Sequence, residues 1–238
     1  MMISLNARHL TPEVMDQQNL DPQRHRQALR GLGRVNRLSR TAGILWKRIR
    51  TLEPHATGAR LRVLDLACGG GDVLLDLAER SRSHPIPIDF FGSDLSPTAI
   101  LHATEAAERR GNSNVTFSQA DALHDDLSGE VFDIVYCTLF LHHLNHDNAT
   151  TLMRRMTVLA SQAVLIDDLR RTGLGYVLAW VGCRMLSRSP IVHADGPSSA
   201  RAAFTEQEVL QMAAEAGMQV ASLTRHWPQR FLLDWRRS

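Results

Sequence analysis

The sequence predicts an α/β protein built on a doubly wound, mainly parallel sheet of seven strands. Apolar runs of strand length alternate with segments of helical period through the middle of the 238-residue chain. A glycine-rich turn at residues 69–71 joins the first of these strands to a helix, as in a βαβ unit. The alternation is interrupted at residues 170–204. We therefore expect a helical arm over residues 1–58 and a sheet domain over residues 59–238 that carries a helical lid at the interruption.

The arm is predicted to contain two helices. Apolar residues recur every three positions from Leu29 to Leu38, which predicts an amphipathic helix over residues 23–39. A second helix is predicted over residues 42–52.

The sheet domain is predicted from its apolar runs and from its helix-start signals. Ser96 followed by Pro97 is typical of a helix start, and Thr205 followed by Glu208 is typical of a capping box. The predicted strands are 62–67, 88–94, 115–118, 131–138, 163–168, 218–224 and 231–235, and the predicted helices are 72–82, 97–111, 147–159 and 205–217.

Composition excludes several classes of protein. The longest apolar stretch, residues 174–186, is interrupted by Arg184 and is shorter than the roughly 20 residues that a membrane-spanning helix needs. Residues 1–12 do not show a basic start followed by an apolar run, so we expect no secretory signal and a cytoplasmic location. The three cysteines lack the paired spacing of a disulfide framework or a zinc site, and no metal site is predicted.

The arm is basic, with ten Lys and Arg against three Asp and Glu in residues 1–50. Three explanations remain open: a solvated helical face, peripheral attraction to anionic lipid, or attraction to an acidic substrate. Nucleic acid is not an expected partner, because the arm has one Lys and no ladder of aromatic residues.

The glycine turn predicts a cofactor site. Glycine lets a ligand approach the backbone closely, and the helix start offers free N–H groups to a carboxylate or phosphate. A dinucleotide site requires G-x-G-x-x-G, but counting from Gly69 the third glycine position is occupied by Leu74. This substitution disfavours a dinucleotide.

Three acids lie at or after the ends of the first three predicted strands, where a binding crevice forms. Asp94 is placed to accept hydrogen bonds from both ribose hydroxyls, and Asp121 to accept one from an adenine amino group. Asp65 is placed to orient the turn and an ammonium group. Together they favour an adenosine-containing cofactor with an amino-acid end.

The chain at residues 63–168 resembles the class I S-adenosylmethionine-dependent methyltransferases. The resemblance rests on LDLACGGGD at 64–72, GSDLS at 92–96, QADA at 119–122 and FDIV at 132–135. It implies a Rossmann-like methyltransferase fold and S-adenosyl-L-methionine as cofactor. The cofactor-binding residues that it implies are Asp65, Ala67, Cys68, Gly69, Gly71, Asp94, Leu95, Ser96, Asp121, Ala122, Cys137 and Thr138.

Within that class the chain looks most similar to the ubiquinone and menaquinone biosynthesis methyltransferases. VNRLS at 35–39, LWKR at 45–48 and LHHL at 141–144 carry this likeness. Residues 189–204 depart from it and resemble instead methyltransferases encoded beside bacterial type III polyketide synthases, which would place the protein in secondary metabolism.

Methyl transfer is an in-line displacement in which the cofactor carries the reactivity, so the protein mainly positions the two reactants. Removing a proton from a phenol or enol favours a nearby imidazole. We take His143 and His193 as candidate bases, with His142 as their alternative. A histidine that packs under the cofactor, caps a helix or merely lies in a loop is the competing interpretation of each.

The acceptor is predicted to be a small, apolar phenolic, quinol or polyketide-like molecule that is methylated on oxygen or carbon. Residues 137–140 read CTLF, where amino-group methylases carry Asn/Asp-Pro-Pro-Tyr/Phe. Residues 175–181 would form an apolar wall, or else an ordinary amphipathic helix that closes the core. The competing functions are a non-catalytic S-adenosylmethionine-binding regulator and a nicotinamide oxidoreductase, which would need the missing glycine.

Overall fold

A computed structural model describes residues 5, 7–17, 20–54, 59–125 and 131–237. The arm boundary predicted at residue 58 lies outside them. The strands are β1 (Leu61–Leu66), β2 (Ile88–Asp94), β3 (Val115–Gln119), β4 (Phe132–Thr138), β5 (Ala160–Leu169), β6 (Ser222–His226) and β7 (Arg230–Arg236). The α-helices of the described residues are α1 (Pro22–Leu38), α2 (Thr41–Ile49), α3 (Asp72–Ser81), α4 (Pro97–Arg110), α5 (His146–Leu159), α6 (Gly173–Leu186), α7 (Pro190–Ala202) and α8 (Glu206–Glu215).

The seven strands form one sheet in the order β3-β2-β1-β4-β5-β7-β6. Strands β1 to β5 pair in parallel, whereas β7 is antiparallel to both β5 and β6. The predicted doubly wound, mainly parallel sheet is therefore confirmed. Because β1 is central, the carboxyl ends of β1, β2, β4 and β5 meet along one edge.

Helix starts follow the predicted capping chemistry. The Ser96 side chain accepts a hydrogen bond from the Ala99 N–H at 3.2 Å, and Pro97 occupies the first helical position of α4. At α8 the Glu208 N–H donates to the Thr205 hydroxyl, while the Thr205 N–H donates to the Glu208 carboxylate. The predicted capping box is confirmed.

The hairpin at the end of the sheet begins later than the sequence predicts. Strand β6 starts at Ser222 rather than at Met218. The Met218 N–H donates back to the Ala213 carbonyl of α8, and Gly217 and Val220 both have positive φ, so residues 217–221 form a helix cap and a turn. The apolar Met218 that suggested a strand is instead 2% exposed beneath α8.

Buried apolar residues cover both faces of the sheet. One cluster packs β4 and β5 against α5 and α8, and a second packs β1 and β2 against α2 and α3. A smaller third cluster joins Ala28 of α1 to Cys183 of α6 and to Ile191 and Val192 of α7. The arm therefore packs on the lid as well as on the sheet.

The segment predicted as a lid, residues 170–204, contains α6 and α7. Of the two interpretations of residues 175–181, closure of the core is wrong: the buried residues of α6 are Gly175 and Cys183, while Val177 and Trp180 are 54% and 47% exposed. Helix α6 packs through Cys183, which contacts Ile191 and Val192 of α7 and lies so close to Gly196 that a Cβ there would clash with its sulfur. None of the helices in the described ranges is long and apolar enough to cross a bilayer.

Candidate functional site

The turn after β1 has the backbone that a close ligand approach requires. Ala67, Gly69 and Gly71 have φ of 58°, 54° and 72°, all in the left-handed region that favours glycine. A Cβ on Gly71 would lie 2.7 Å from a ring carbon of Phe117 and 3.0 Å from Ala103. The last glycine of the turn is thus required both by conformation and by space.

Gly71→Ala is expected to lower the free energy of unfolding by about 2 kcal/mol, from left-handed strain and from overpacking against Phe117. Gly111 is a matched control, since its φ is 64° but no atom lies within 4 Å of a Cβ placed there. Gly111→Ala should show the strain alone, about 1 kcal/mol. Urea denaturation measures both, and equal losses would contradict the packing argument.

Asp94 at the end of β2 holds the turn in place. Its two carboxylate oxygens accept hydrogen bonds from the Gly69 N–H at 2.8 Å and the Ser96 N–H at 2.9 Å. Burial raises the pKa of Asp94, and these two hydrogen bonds oppose that shift. The carboxylate therefore joins the turn to the start of α4, and its remaining lone pairs are free for ligand hydroxyls.

Asp65 lies at the end of β1, 1% exposed, and its Oδ1 has no hydrogen-bond partner among the described residues. Burial raises its pKa well above the usual value, although the neighbouring Tyr136 hydroxyl acts in the opposite direction. A buried acceptor without a partner is costly unless a ligand or water satisfies it. Next to it, burial raises the pKa of Asp72 to about 6, although Asn36 of α1 donates to that carboxylate at 3.2 Å.

Helix α1 lies directly on the turn. A Cβ placed on Gly70 would be 3.4 Å from Leu29 Cβ, and Leu29 is only 6% exposed. On β7, the buried Arg230 donates to Asn36 at 3.2 Å and to Thr41 at 3.0 Å, which fixes both arm helices to the sheet. The arm therefore forms a roof over the glycine turn.

The other predicted cofactor residues lie around the same edge with different exposure. Cys68, Ala122 and Cys137 are buried, Ser96 caps α4, and Leu95 is 63% exposed. Asp121 follows β3 and accepts hydrogen bonds from the Leu123 N–H and from the His124 ring. Partial burial acts to raise the pKa of Asp121, but these hydrogen bonds outweigh it, so the pKa is lowered. In this state its carboxylate is engaged by its own turn.

A cluster of acids and imidazoles lies after β4. The buried His142 donates from Nδ1 to Asp168 Oδ1 at 2.7 Å, and its Nε2 lies 3.5 Å from Glu13 Oε1. Although burial opposes the charge, Asp168 and then Glu13 raise the pKa of His142 to about 10. His142 is therefore a charged anchor at neutral pH, which leaves it unsuited to act as a base.

His143 is more accessible than its neighbour. Its Nδ1 lies 2.8 Å from Asp16 Oδ2, and its Nε2 lies 3.8 Å from Glu13 Oε2. His193, the other predicted base, lies in α7 with its Nε2 2.7 Å from the Ser187 carbonyl. His143 therefore lies at the carboxyl edge of the sheet. One ring nitrogen of His193 is hydrogen-bonded within the predicted lid segment.

Sequence reasoning missed the contribution of the arm to this cluster. Glu13 and Asp16 come from residues 7–17, and the Ser199 hydroxyl of α7 lies 2.5 Å from Glu13 Oε1. Arg8 donates to the His142 carbonyl at 2.7 Å and so adds a further attachment. No local pattern signals these roles, because each partner is more than a hundred residues away in sequence.

Comparison with known proteins gives a family match over the central region. Residues 63–162 match the family model described as a methyltransferase domain. A ubiquinone biosynthesis O-methyltransferase of Methylococcus capsulatus is 29% identical over 143 residues, which are 59% of this chain and 57% of that protein. A demethylmenaquinone methyltransferase of Thermus thermophilus is 31% identical over 135 residues, 56% of this chain and 59% of that protein. The matched region thus spans less than two thirds of these relatives.

Solved structures share the fold. A magnesium protoporphyrin IX methyltransferase of Synechocystis with bound S-adenosylhomocysteine aligns with a TM-score of 0.61 and 19% identity, covering 84% of this chain and 83% of that one. A SAM-dependent methyltransferase of Aquifex aeolicus aligns with a TM-score of 0.64 and 16% identity, covering 92% and 99%.

Proposed function

We propose that this chain, which carries a class I S-adenosylmethionine-dependent methyltransferase domain, methylates oxygen or carbon of a small apolar acceptor. The acceptor class that we propose is a phenolic, quinol or polyketide-like molecule. The observation that carries the proposal is the meeting of the glycine turn and the His142-His143 pair at one sheet edge, under the arm. The relatives named for ubiquinone and menaquinone biosynthesis support a quinol-type acceptor.

The cofactor site fits S-adenosylmethionine on two features of the fold. The turn has positive φ at Ala67, Gly69 and Gly71, a backbone that lets a ligand approach closely, and Asp65 offers a buried acceptor that a ligand ammonium would satisfy. We assign Asp94 to the ribose hydroxyls and the neighbouring turn to the amino-acid end. When bound, the cofactor supplies a sulfonium-activated methyl group.

The acceptor is assigned to the space bounded by the arm, the lid and the end of β4. Apolar side chains of α6 are solvent-exposed, including Leu174, Val177, Trp180 and Met185. An apolar acceptor that contacts this helix would remove their surface from water, which favours binding by about 25 cal/mol per Å². Charged acceptors gain nothing from this surface.

His143 is our candidate for the proton acceptor. Its ring is oriented by Asp16, and it follows β4 on the same edge as the turn. An oriented imidazole would remove the acceptor proton as the new carbon–oxygen or carbon–carbon bond forms and the methyl–sulfur bond breaks, with that electron pair left on sulfur as a neutral thioether. His142 holds the segment in place through Asp168.

The proposal is tested with methyl-labelled S-adenosylmethionine and a panel of acceptors: a prenylated quinol, an ortho-diphenol, an alkylresorcinol and a primary amine. We expect transfer to at least one hydroxylated compound and none to the amine, with product NMR distinguishing oxygen from carbon. Tight cofactor binding with no transfer to any acceptor would instead favour a non-catalytic regulator of the same fold.

His143→Ala is expected to lower turnover at least tenfold while leaving the dissociation constant of S-adenosylmethionine unchanged, because the base acts on the acceptor alone. His193→Ala should produce a smaller loss, since its ring is hydrogen-bonded within the lid. Steady-state kinetics with the best acceptor of the panel compare the two. A larger loss in His193→Ala would transfer the role of base to His193.

A further inference from the structure

We propose that Glu13, His142 and His143 form a binding site for a divalent transition-metal ion of the Zn²⁺ type, which fastens the N-terminal arm to the catalytic edge of the sheet. The ligand atoms are one carboxylate group and two imidazole Nε2 atoms. Within the described part of the chain, one ligand atom from each of these three residues lies within 4.8 Å of the ligand atoms of the other two.

The spacing is close to that of a filled site. Zn²⁺ binds imidazole nitrogen and carboxylate oxygen at about 2.0–2.2 Å, so tetrahedral ligand atoms lie about 3.3 Å apart. The two measured separations are 3.5 Å from His142 Nε2 to Glu13 Oε1 and 3.8 Å from His143 Nε2 to Glu13 Oε2. Small side-chain movements would close the site, and its fourth position would remain for water.

The outer partners are those that metal ligands require. A ligating histidine almost always donates its other ring N–H to a carboxylate or carbonyl, which fixes the ring and its tautomer. Here both rings have such a partner, Asp168 for His142 at 2.7 Å and Asp16 for His143 at 2.8 Å. Both Nε2 atoms are thereby directed to the same carboxylate.

Glu13 is oriented as well. Its side chain is 10% exposed, and Ser199 of α7 contacts its Oε1 at 2.5 Å. The backbone on either side is tied down, because Asp195 of α7 accepts hydrogen bonds from the Val14 and Met15 N–H groups. The ligand from the arm is therefore presented at a defined position rather than at the end of a loose segment.

The ligand set selects the ion. Two imidazoles and one carboxylate suit Zn²⁺ and its transition-metal neighbours, whereas Mg²⁺ prefers an all-oxygen, octahedral shell. The ion would join the arm to the segment after β4, adding to the Arg8–His142 hydrogen bond and to the ion pairs of Glu13 and Asp16. An ion and a proton exclude each other on the Nε2 atom of either ring, so Zn²⁺ must displace the proton that His142 carries in the metal-free protein. For the same reason, ligation and proton acceptance by His143 belong to different states of the protein.

The test uses Zn²⁺ alone, with protein first treated with a chelator and then dialysed. Isothermal titration should show one Zn²⁺ per chain, with affinity at least tenfold weaker in Glu13→Gln and in His143→Ala. His9→Ala is the matched control, because His9 lies exposed on the same arm and should leave the affinity unchanged. A hundredfold excess of Mg²⁺ should not displace the ion.

A second readout reports the fastening of the arm. Zn²⁺ should slow amide hydrogen exchange in residues 7–17 of the wild type and not in Glu13→Gln, whose near-isosteric side chain avoids a folding defect. Absence of binding, unchanged affinity in both ligand variants, or binding without slower exchange in the arm would each overturn the proposal. Neither measurement uses acceptor or cofactor, so failure here is distinct from failure of the proposed methyl transfer.

Discussion

Asp94→Ala is expected to weaken S-adenosylmethionine binding a hundredfold or more, about 3 kcal/mol. Two effects add. The proposed charged hydrogen bonds to the ribose hydroxyls are lost, and each is worth about 1.5–3 kcal/mol. The turn also loses its attachment to α4, because Asp94 accepts the N–H groups of Gly69 and Ser96. Calorimetry with S-adenosylmethionine and S-adenosylhomocysteine measures the change.

Asp89→Ala is the matched control for this experiment. Asp89 lies on the same strand β2 but pairs with the exposed Arg60 at 2.7 Å, away from the turn. We expect its affinity for the cofactor to equal that of the wild type. An Asp94→Ala protein that binds as tightly as Asp89→Ala would refute the assignment of Asp94 to the cofactor.

Asp168→Ala is expected to lower the free energy of unfolding by about 3–5 kcal/mol, because it removes the nearer of the two carboxylates that balance the buried charge of His142 and leaves only Glu13 beside that ring. Its partner His142 is buried, and the pKa of that imidazole is raised to about 10. The same substitution also removes the acceptor for the His142 backbone N–H at 3.1 Å. Urea unfolding at neutral pH in the presence of a chelator measures the loss.

An exposed pair in the same protein provides the comparison. His124 lies 3.0 Å from Asp121, but the His124 side chain is 76% exposed. His124→Ala should cost less than about 1 kcal/mol, since solvent screens such pairs. If both substitutions cost the same, burial of the His142–Asp168 pair would not be the cause of its strength.

Much of the fold was predictable because its signals are local. Strand β2 was predicted with its observed bounds, and α4 was placed by its Ser96 cap and Pro97. Hydrophobic periodicity and capping residues act within a few positions along the chain, so both can be recognised in the sequence without knowledge of the tertiary structure. The prediction was wrong at Met218. An apolar residue is expected both beneath the end of a helix and in a buried strand, so its identity alone does not distinguish the two.

The candidate site was predictable only in part. The glycine turn and Asp94 are neighbours in the fold because parallel strands end at the same edge, a rule that holds for any sheet of this order. The different surroundings of His142 and His143 were not predictable, because they depend on which carboxylates face each ring. The His142 side chain is more deeply buried than that of His143, and nothing in the sequence of these adjacent residues indicates this difference.

The sequence by itself determined the class of sheet, the turn after β1 and the acids at the strand ends, since each rests on residues close together in the chain. Only the tertiary structure decided that Leu29 covers the turn and that Glu13 reaches the histidines after β4. These contacts join residues about 40 to 130 positions apart. The first exists because α1 packs on the turn. The second exists because residues 7–17 pack beside α7, which brings Glu13 and His142 into a shared, weakly solvated space where charged groups interact most strongly.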